Sequence, residues 1–443
     1  MKSLLIERIG HRSGSLRVFA VLIGLAALVT CLAPRASVPM LALLALSALP
    51  ALLRGPDAER VGSRASFGFK DPLIVSALVL LLYLALNALW ALDGSAAFSK
   101  VAAAAAIAAA LWLANCALRR MEPAMVYLGA TLLIVAVCLG AAFLATELVS
   151  GQHLKRFALN MVPALRPESA KDLTLSDGLV VRIAAYELNR NLALLIMMLW
   201  PALLVVMRHP SIQMPRWLAG ALFMLVALTA FFSEHETSAI AIAFSALVFL
   251  ISLYWSTGVQ RGLVAVWCLG FLLAIPIAQL AYHSVELHKA PWLPATGQAR
   301  IILWAYTAEK VSENPLAGIG IRSTRVLDAE QAPRAEQPEG HVFGRRSGRH
   351  AHNIFLQSWY ELGLIGAALV MVFGLSVLGK ISALPDGIRP YGHALFASIL
   401  VFASLAWGMW QTWLLSGYAL AAIYFLLAGR FAETRGELEP ART

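Results

Sequence analysis

Four short stretches of the chain hold side chains able to do chemistry beside long apolar runs, where a charge is costly unless it has a function or a partner. The first is His350-Ala351-His352-Asn353, directly ahead of the apolar run 354–373. A helix beginning there offers free N–H groups and partial positive charge. That end biases His352 towards its neutral form, the form able to accept a proton, and the same N–H groups can bind an anion. The plainer alternative is that Asn353 or His352 caps the helix. The second stretch holds Arg300 and Trp304, four apart and so on one helix face. A guanidinium matches phosphate geometry in bidentate fashion; otherwise Arg300 is a surface residue of an amphipathic helix. The third is Asn189-Arg190-Asn191, with Arg182 two turns earlier; snorkelling is the alternative for an arginine near a helix end. The fourth is Glu234-His235-Glu236, whose oxygens and imidazole could hold a divalent metal or form a solvated turn. HExxH, GxSxG, Walker A and GxGxxG patterns are absent at any meaningful position.

These groups need a scaffold. The chain has 443 residues, 60% hydrophobic and 14% charged, against roughly 45–50% and about 25% in soluble domains. That balance excludes an ordinary cytosolic enzyme, a disordered chain and a disulfide scaffold. Apolar runs of roughly 20 residues exclude a transmembrane β-barrel, whose strands alternate. The runs lie near 18–34, 36–53, 72–91, 98–118, 123–146, 188–207, 217–233, 237–256, 262–282, 353–378, 391–410 and 412–430. The expected fold is an all-α polytopic integral membrane protein of about 12 transmembrane helices, with both termini on one side. That side's short connections hold Arg54, Arg60, Arg64, Lys70, Arg119, Arg120, Arg208, Arg216, Arg261, Lys380 and Arg389, whereas the opposite ones hold Arg35 and Lys100. The positive-inside rule then places both termini in the cytoplasm. Segment 147–187 runs against the rule with Lys155, Arg156, Arg166, Lys171 and Arg182. Lys2, Arg8, Arg12 and Arg17 ahead of the first run look like a signal sequence, but Arg35 and a second run mark an uncleaved span. The net charge of +10 is ascribed to these topology-setting residues, since no nucleic-acid-binding fold is visible.

The expected organisation is helices one to nine over 1–282, with an outer segment at 147–187. A loop domain follows at 283–352, then helices ten to twelve over 353–430 and a tail at 431–443. Inside the loop, 299–313 has helical periodicity and stops at Asn314-Pro315, a breaker pair. Gly318-Ile319-Gly320 is a turn, and the polar stretch 328–350 is expected to be mobile. The last two runs share about 40 residues, with a boundary near Gln411. The Ala-rich stretch 102–110 is expected to pack closely against a neighbour through small side chains. Cys31, Cys116, Cys138 and Cys268 lie in or beside apolar runs without a CxxC and read as small buried hydrophobes.

His350-Ala351-His352-Asn353-Ile354-Phe355-Leu356-Gln357, continuing through Glu361-Leu362-Gly363-Leu364-Ile365-Gly366, resembles the HNxxL…xELGxxG signature of bacterial O-antigen ligases, which O-antigen polymerases and protein O-oligosaccharyltransferases share. Arg300…Trp304 followed by Asn314-Pro315-Leu316-Ala317-Gly318-Ile319-Gly320 is similar to the family's R…W…NPLxGxG segment, and Asn189-Arg190-Asn191 resembles the NR that opens a span in the ligases. No arginine has glycine eleven positions later, as the RX10G motifs of the polymerases would require. The chain stops soon after the last run, unlike many protein-glycosylating members, and one outer loop dominates; both favour a ligase. The resemblance implies a GT-C-like fold and transfer of O-polysaccharide from undecaprenyl pyrophosphate to lipid A–core, at the periplasmic face of the bacterial inner membrane. It implies His352 as general base, Arg300 and Arg190 with Arg182 and Asn353 on the pyrophosphate, and His350, Arg322 and Trp304 as further site residues. One displacement would invert the anomeric carbon. No cofactor or metal is expected; the partners are the two glycolipids and membrane lipids, without nucleic acid. The rivals are a twelve-span secondary transporter, against which the lack of a repeat speaks, and a metal-dependent transferase centred on Glu234 and Glu236.

Overall fold

The computed structural model describes residues 2–53, 71–166, 173–331 and 343–438. The helices are α1 (Lys2–Leu32), α2 (Ser37–Leu53), α3 (Pro72–Asn87), α4 (Gly94–Arg120), α5 (Pro123–Val149), α6 (His153–Met161), α7 (Asn189–Arg208), α8 (Pro215–Phe232), α9 (Glu236–Gln279), α10 (Ala295–Lys310), α11 (Ser323–Gln331), α12 (Ile354–Gln357), α13 (Gly363–Ser382), α14 (Arg389–Leu405) and α15 (Thr412–Leu438). Among the described residues, nine helical stretches are long and apolar enough to cross a bilayer. The protein is an all-α polytopic membrane protein. Asp71 and Asp93 cap α3 and α4 by accepting the N–H groups of Leu73 (3.0 Å) and Ala96 (2.9 Å). Proline at or next to the first position opens α3, α5 and α8, where its missing N–H is no loss.

The difference between nine long stretches and twelve apolar runs is local. Helices α2 and α14 have 17 residues each. Helix α9 joins two helices across a break at Trp255 (φ −140°, ψ 59°). Ser252 before the break and Gln260 after it both bond the imidazole of His393, at 2.8 and 2.9 Å. A straight helix of 44 residues would span about 66 Å, yet Glu236 at its start bears on Arg300 of α10 and Gln279 at its end donates to Ala305 of the same helix, so the chain turns back at Trp255. Helix α9 is thus an antiparallel pair. Helix α7 is buried on nearly every side, between α1, α5, α8, α14 and α15; its apolar surface all round requires this.

Hydrogen bonds sort the connections into two ends. At one end Leu92 N–H donates to Ser323 Oγ (3.0 Å), Lys100 Nζ to Thr412 Oγ1 (3.1 Å) and Ser37 Oγ to the Trp413 carbonyl (2.7 Å). There Asn191, at the start of α7, donates to the carbonyls of Cys31 and Leu32 at 2.7 and 2.9 Å. At the other end Lys380 pairs with Asp71 (2.6 Å), Arg430 donates to the Met121 carbonyl (2.8 Å) and Tyr127 meets Ser211 (2.8 Å). The first end gathers 33–36, 88–93, 233–235, 283–331, 343–353 and 406–411, and every candidate residue of the loop domain lies on it.

Segment 147–187 holds α6 and an antiparallel hairpin of β1 (Leu173–Ser176) and β2 (Leu179–Ile183). The Glu147 carboxylate caps α6, accepting from the N–H groups of Leu154 (2.8 Å) and Lys155 (2.9 Å). The Ala-rich stretch packs closely only at its end: Ala102, Ala105, Ala106 and Ala109 are exposed, Ala103, Ala104 and Ala108 half-buried and Ala110 buried, and the other buried alanines of α4 are 97, 114 and 117. Small side chains there form an outward face. The four cysteines are free, with Cys31 buried and the others partly so. Arg54, Arg60, Arg64, Lys70 and Lys171 lie outside the described residues.

Candidate active site

Helix α10 is the platform of the site. Gln279, at the end of α9, donates to the Ala305 carbonyl at 3.1 Å and holds α10 against it. Trp304 Nε1 donates to the Ala351 carbonyl at 2.8 Å, tying the segment ahead of α12 to this helix. Arg300 stands one turn earlier on the same face, half-buried, within electrostatic reach of His352, His235 and Glu236. Burial pulls its guanidinium below the usual arginine range, and Glu236 opposes that pull.

His352 is held by a carbonyl and sits outside the helix start. Its backbone is left-handed (φ 52°), which turns the ring towards the segment between α14 and α15, where Nδ1 donates to the Ala406 carbonyl. A carbonyl oxygen only accepts, so Nδ1 carries the hydrogen and the neutral ring leaves Nε2 as an acceptor. Burial pushes the imidazole below the ordinary histidine range; the Ala406 bond opposes this and Arg300 adds to it. The neutral bias that a helix end was expected to supply therefore comes from desolvation and a neighbouring guanidinium. Asn353 makes the cap, its Oδ1 accepting from Phe355 N–H (2.9 Å) and Leu356 N–H (3.1 Å).

The ring of His350 lies 4.1 Å from that of His352. Burial, then His352 and Arg349, push it down to about 3. Across from it, a Cβ on Gly408 would sit 2.7 Å from the His350 ring, so the segment after α14 can approach only as glycine. His235 is buried, 2.6 Å from Ser238 Oγ through Nδ1 and 5.2 Å, ring to ring, from Trp407. Burial and then Arg300 push its pKa down to about 4. Among the described residues no group of three or more His, Cys, Asp and Glu side chains is placed to hold a metal. His235 and Glu236 instead lie within electrostatic reach of Arg300.

Glu361 fastens these pieces together. Fully buried, it accepts from Thr324 Oγ1 (2.5 Å), Arg322 N–H (3.1 Å), Gln357 Nε2 (3.4 Å) and Trp410 Nε1. Gln357 in turn accepts Met409 N–H at 3.1 Å. The two glycine motifs interlock beside it: Gly320 N–H donates to the Glu361 carbonyl (2.9 Å) and Leu364 N–H to that of Pro315 (2.8 Å). Gly318 (φ 70°) and Gly363 (φ 67°) leave no room for a Cβ between these backbones. Further along the loop Arg345 pairs with Glu309, and Arg346 stands 3.3 Å from Asp328. Of the stretch 328–350 expected to be mobile, 328–331 end α11 and 332–342 lie outside the described residues.

The structure brings His350, His352, Arg300 and Trp304 together and adds His235, Glu236 and the Ala406 carbonyl. Arg322 joins through its backbone. Arg190 belongs to a neighbouring group, 3.6 Å from Glu187, where it and Arg35 bear on Lys155. Arg182 is exposed on β2, opposite Thr174. Glu361 could have been singled out from its motif; a backbone carbonyl such as that of Ala406 leaves no signal in sequence.

Residues 220–371 match the family model described as O-antigen ligase, and Arg300, His352 and Glu361 lie inside the matched stretch. The chain is similar to proteins named "putative polysaccharide ligase" in Rickettsia conorii (23% identical, covering 54% of this chain and 59% of the relative), Rickettsia bellii (25%; 52% and 55%) and Rickettsia typhi (22%; 55% and 59%). It spans less than two thirds of the length of each.

Proposed function

We propose that this chain, whose residues 220–371 match the O-antigen ligase family model, transfers O-polysaccharide from undecaprenyl pyrophosphate to a hydroxyl of lipid A–core. The observation that supports this most is the placing of Nε2 of His352: Nδ1 is committed to Ala406, and the free acceptor stands beside Arg300. The acceptor hydroxyl gives its proton to Nε2 as its oxygen attacks the anomeric carbon. The bond from that carbon to the pyrophosphate oxygen breaks, its electron pair leaves with the pyrophosphate, and the configuration inverts. Pyrophosphate leaves readily, so the protein's task is charge stabilisation aimed at the departing oxygens. Arg300 supplies it, with Arg190, Arg182 and the amide of Asn353 further along the path. No step needs a covalent intermediate or a metal.

Both substrates are lipid-anchored, which suits a site at one end of the helices. In this reading that end faces the periplasm, the membrane is the bacterial inner membrane and both termini are cytoplasmic. The test is to incubate purified protein with the lipid-linked polysaccharide and lipid A–core, with EDTA present, and run a ladder gel. A ladder on lipid A–core supports the reading. Lengthened donor without ligated acceptor would indicate a polymerase, and activity lost to EDTA and restored by magnesium would move the chemistry to Glu234 and Glu236.

A further inference from the structure

We propose that Lys100, Arg322 and Arg325 form a docking site for the phosphate groups of the glycolipid acceptor, separate from Arg300; this rests on the transfer reading above. The three side chains come from two elements. Lys100 lies two turns into α4, and Arg322 and Arg325 stand at the start of α11. The elements are fixed to each other, Leu92 N–H on Ser323 Oγ at 3.0 Å and Ile321 N–H on Asn87 Oδ1 at 2.8 Å. The Lys100 ammonium reaches Thr412 Oγ1 at 3.1 Å, and the charged groups that bear on it are Arg322 and Arg325.

Neighbouring arginines at this end have carboxylate partners: Arg345 has Glu309, Arg346 has Asp328 and Arg190 has Glu187. Glu361 is buried and is taken up by other donors, accepting from Arg322 N–H, Thr324 Oγ1, Gln357 Nε2 and Trp410 Nε1. Gathered like charges destabilise one another, so this cluster is complementary to an arriving polyanion. Arg325 also bears on His350, whose ring is 4.1 Å from that of the base. Arg300 and this cluster therefore flank the two histidines. A donor carries one pyrophosphate, for which Arg300 is beside the base; a phosphorylated core glycolipid brings several anionic groups of its own, and the second cluster suits it.

The experiment uses full-length protein in nanodiscs, titrated with O-antigen-free lipopolysaccharide that is either intact or dephosphorylated with hydrofluoric acid. Binding and transfer are followed separately. Arg325→Ala, at an exposed side chain, and Lys100→Gln should each weaken binding of the intact acceptor about tenfold, the scale of one lost charge-assisted contact, and raise its KM alike. The dephosphorylated acceptor should bind wild type and variants equally. An equal loss with both acceptors, a raised donor KM in its place, or unchanged binding in both variants overturns the assignment. Wild-type protein that binds the intact acceptor in the expected pattern yet transfers nothing would contradict the transfer reading and leave the docking site standing.

Discussion

At the scale of the residue, the chemistry depends on a proton's position. The Ala406 carbonyl fixes the hydrogen of His352 on Nδ1, and burial with Arg300 keeps the ring neutral. The working form is the unprotonated one, so rate is lost as pH falls through the folded-state pKa. Because that pKa is depressed, kcat/KM should be flat through neutrality and fall only below the ordinary histidine value of about 6.5; a pH–rate profile checks this. Arg300→Lys keeps the charge but loses the planar fork, so it should retain a little transfer, whereas Arg300→Ala should retain essentially none at normal abundance in a membrane assay. Both residues were legible in the sequence because unusual side chains stood beside apolar runs. The tautomer was not, since it depends on a carbonyl 54 residues away in the chain.

At the scale of the element, one carboxylate joins three segments that sequence separates. Glu361 holds the start of α11, the turn after α12 and the segment 406–411 that carries the Ala406 carbonyl. Glu361→Ala would leave buried donors unpaired, at a cost on the order of 3 kcal/mol. It should lower the thermal midpoint in detergent and abolish transfer, while Glu361→Gln, which keeps one accepting oxygen, should lose less of both. The helix 299–313, its stop at Asn314-Pro315 and the boundary at Gln411 were readable from periodicity and breakers; α10 and a short 3-10 turn occupy the first, and α15 begins after Gln411. The hairpin of β1 and β2 was not readable, because its strands are only four and five residues long and mostly exposed. Nor was the approach of His235 and Glu236 to Arg300, which needs the tertiary packing of α9 against α10.

At the scale of the whole molecule, alternation of Lys and Arg predicted which connections share an end, and the hydrogen bonds across each end group the same connections. The proposed sidedness is tested with the four native cysteines replaced: Asp177→Cys should react with an impermeant thiol reagent in spheroplasts and Asp386→Cys should not. The opposite pattern would invert the topology. The central claim is that His352 takes the acceptor's proton while the arginines hold the donor. Its most direct test is His352→Ala in the reconstituted transfer assay, with donor binding measured alongside. A positioned base contributes ~10²–10⁴-fold, so transfer should fall by about that factor while binding of the lipid pyrophosphate is retained. Transfer at the wild-type rate, or loss of donor binding with chemistry otherwise intact, would contradict the account.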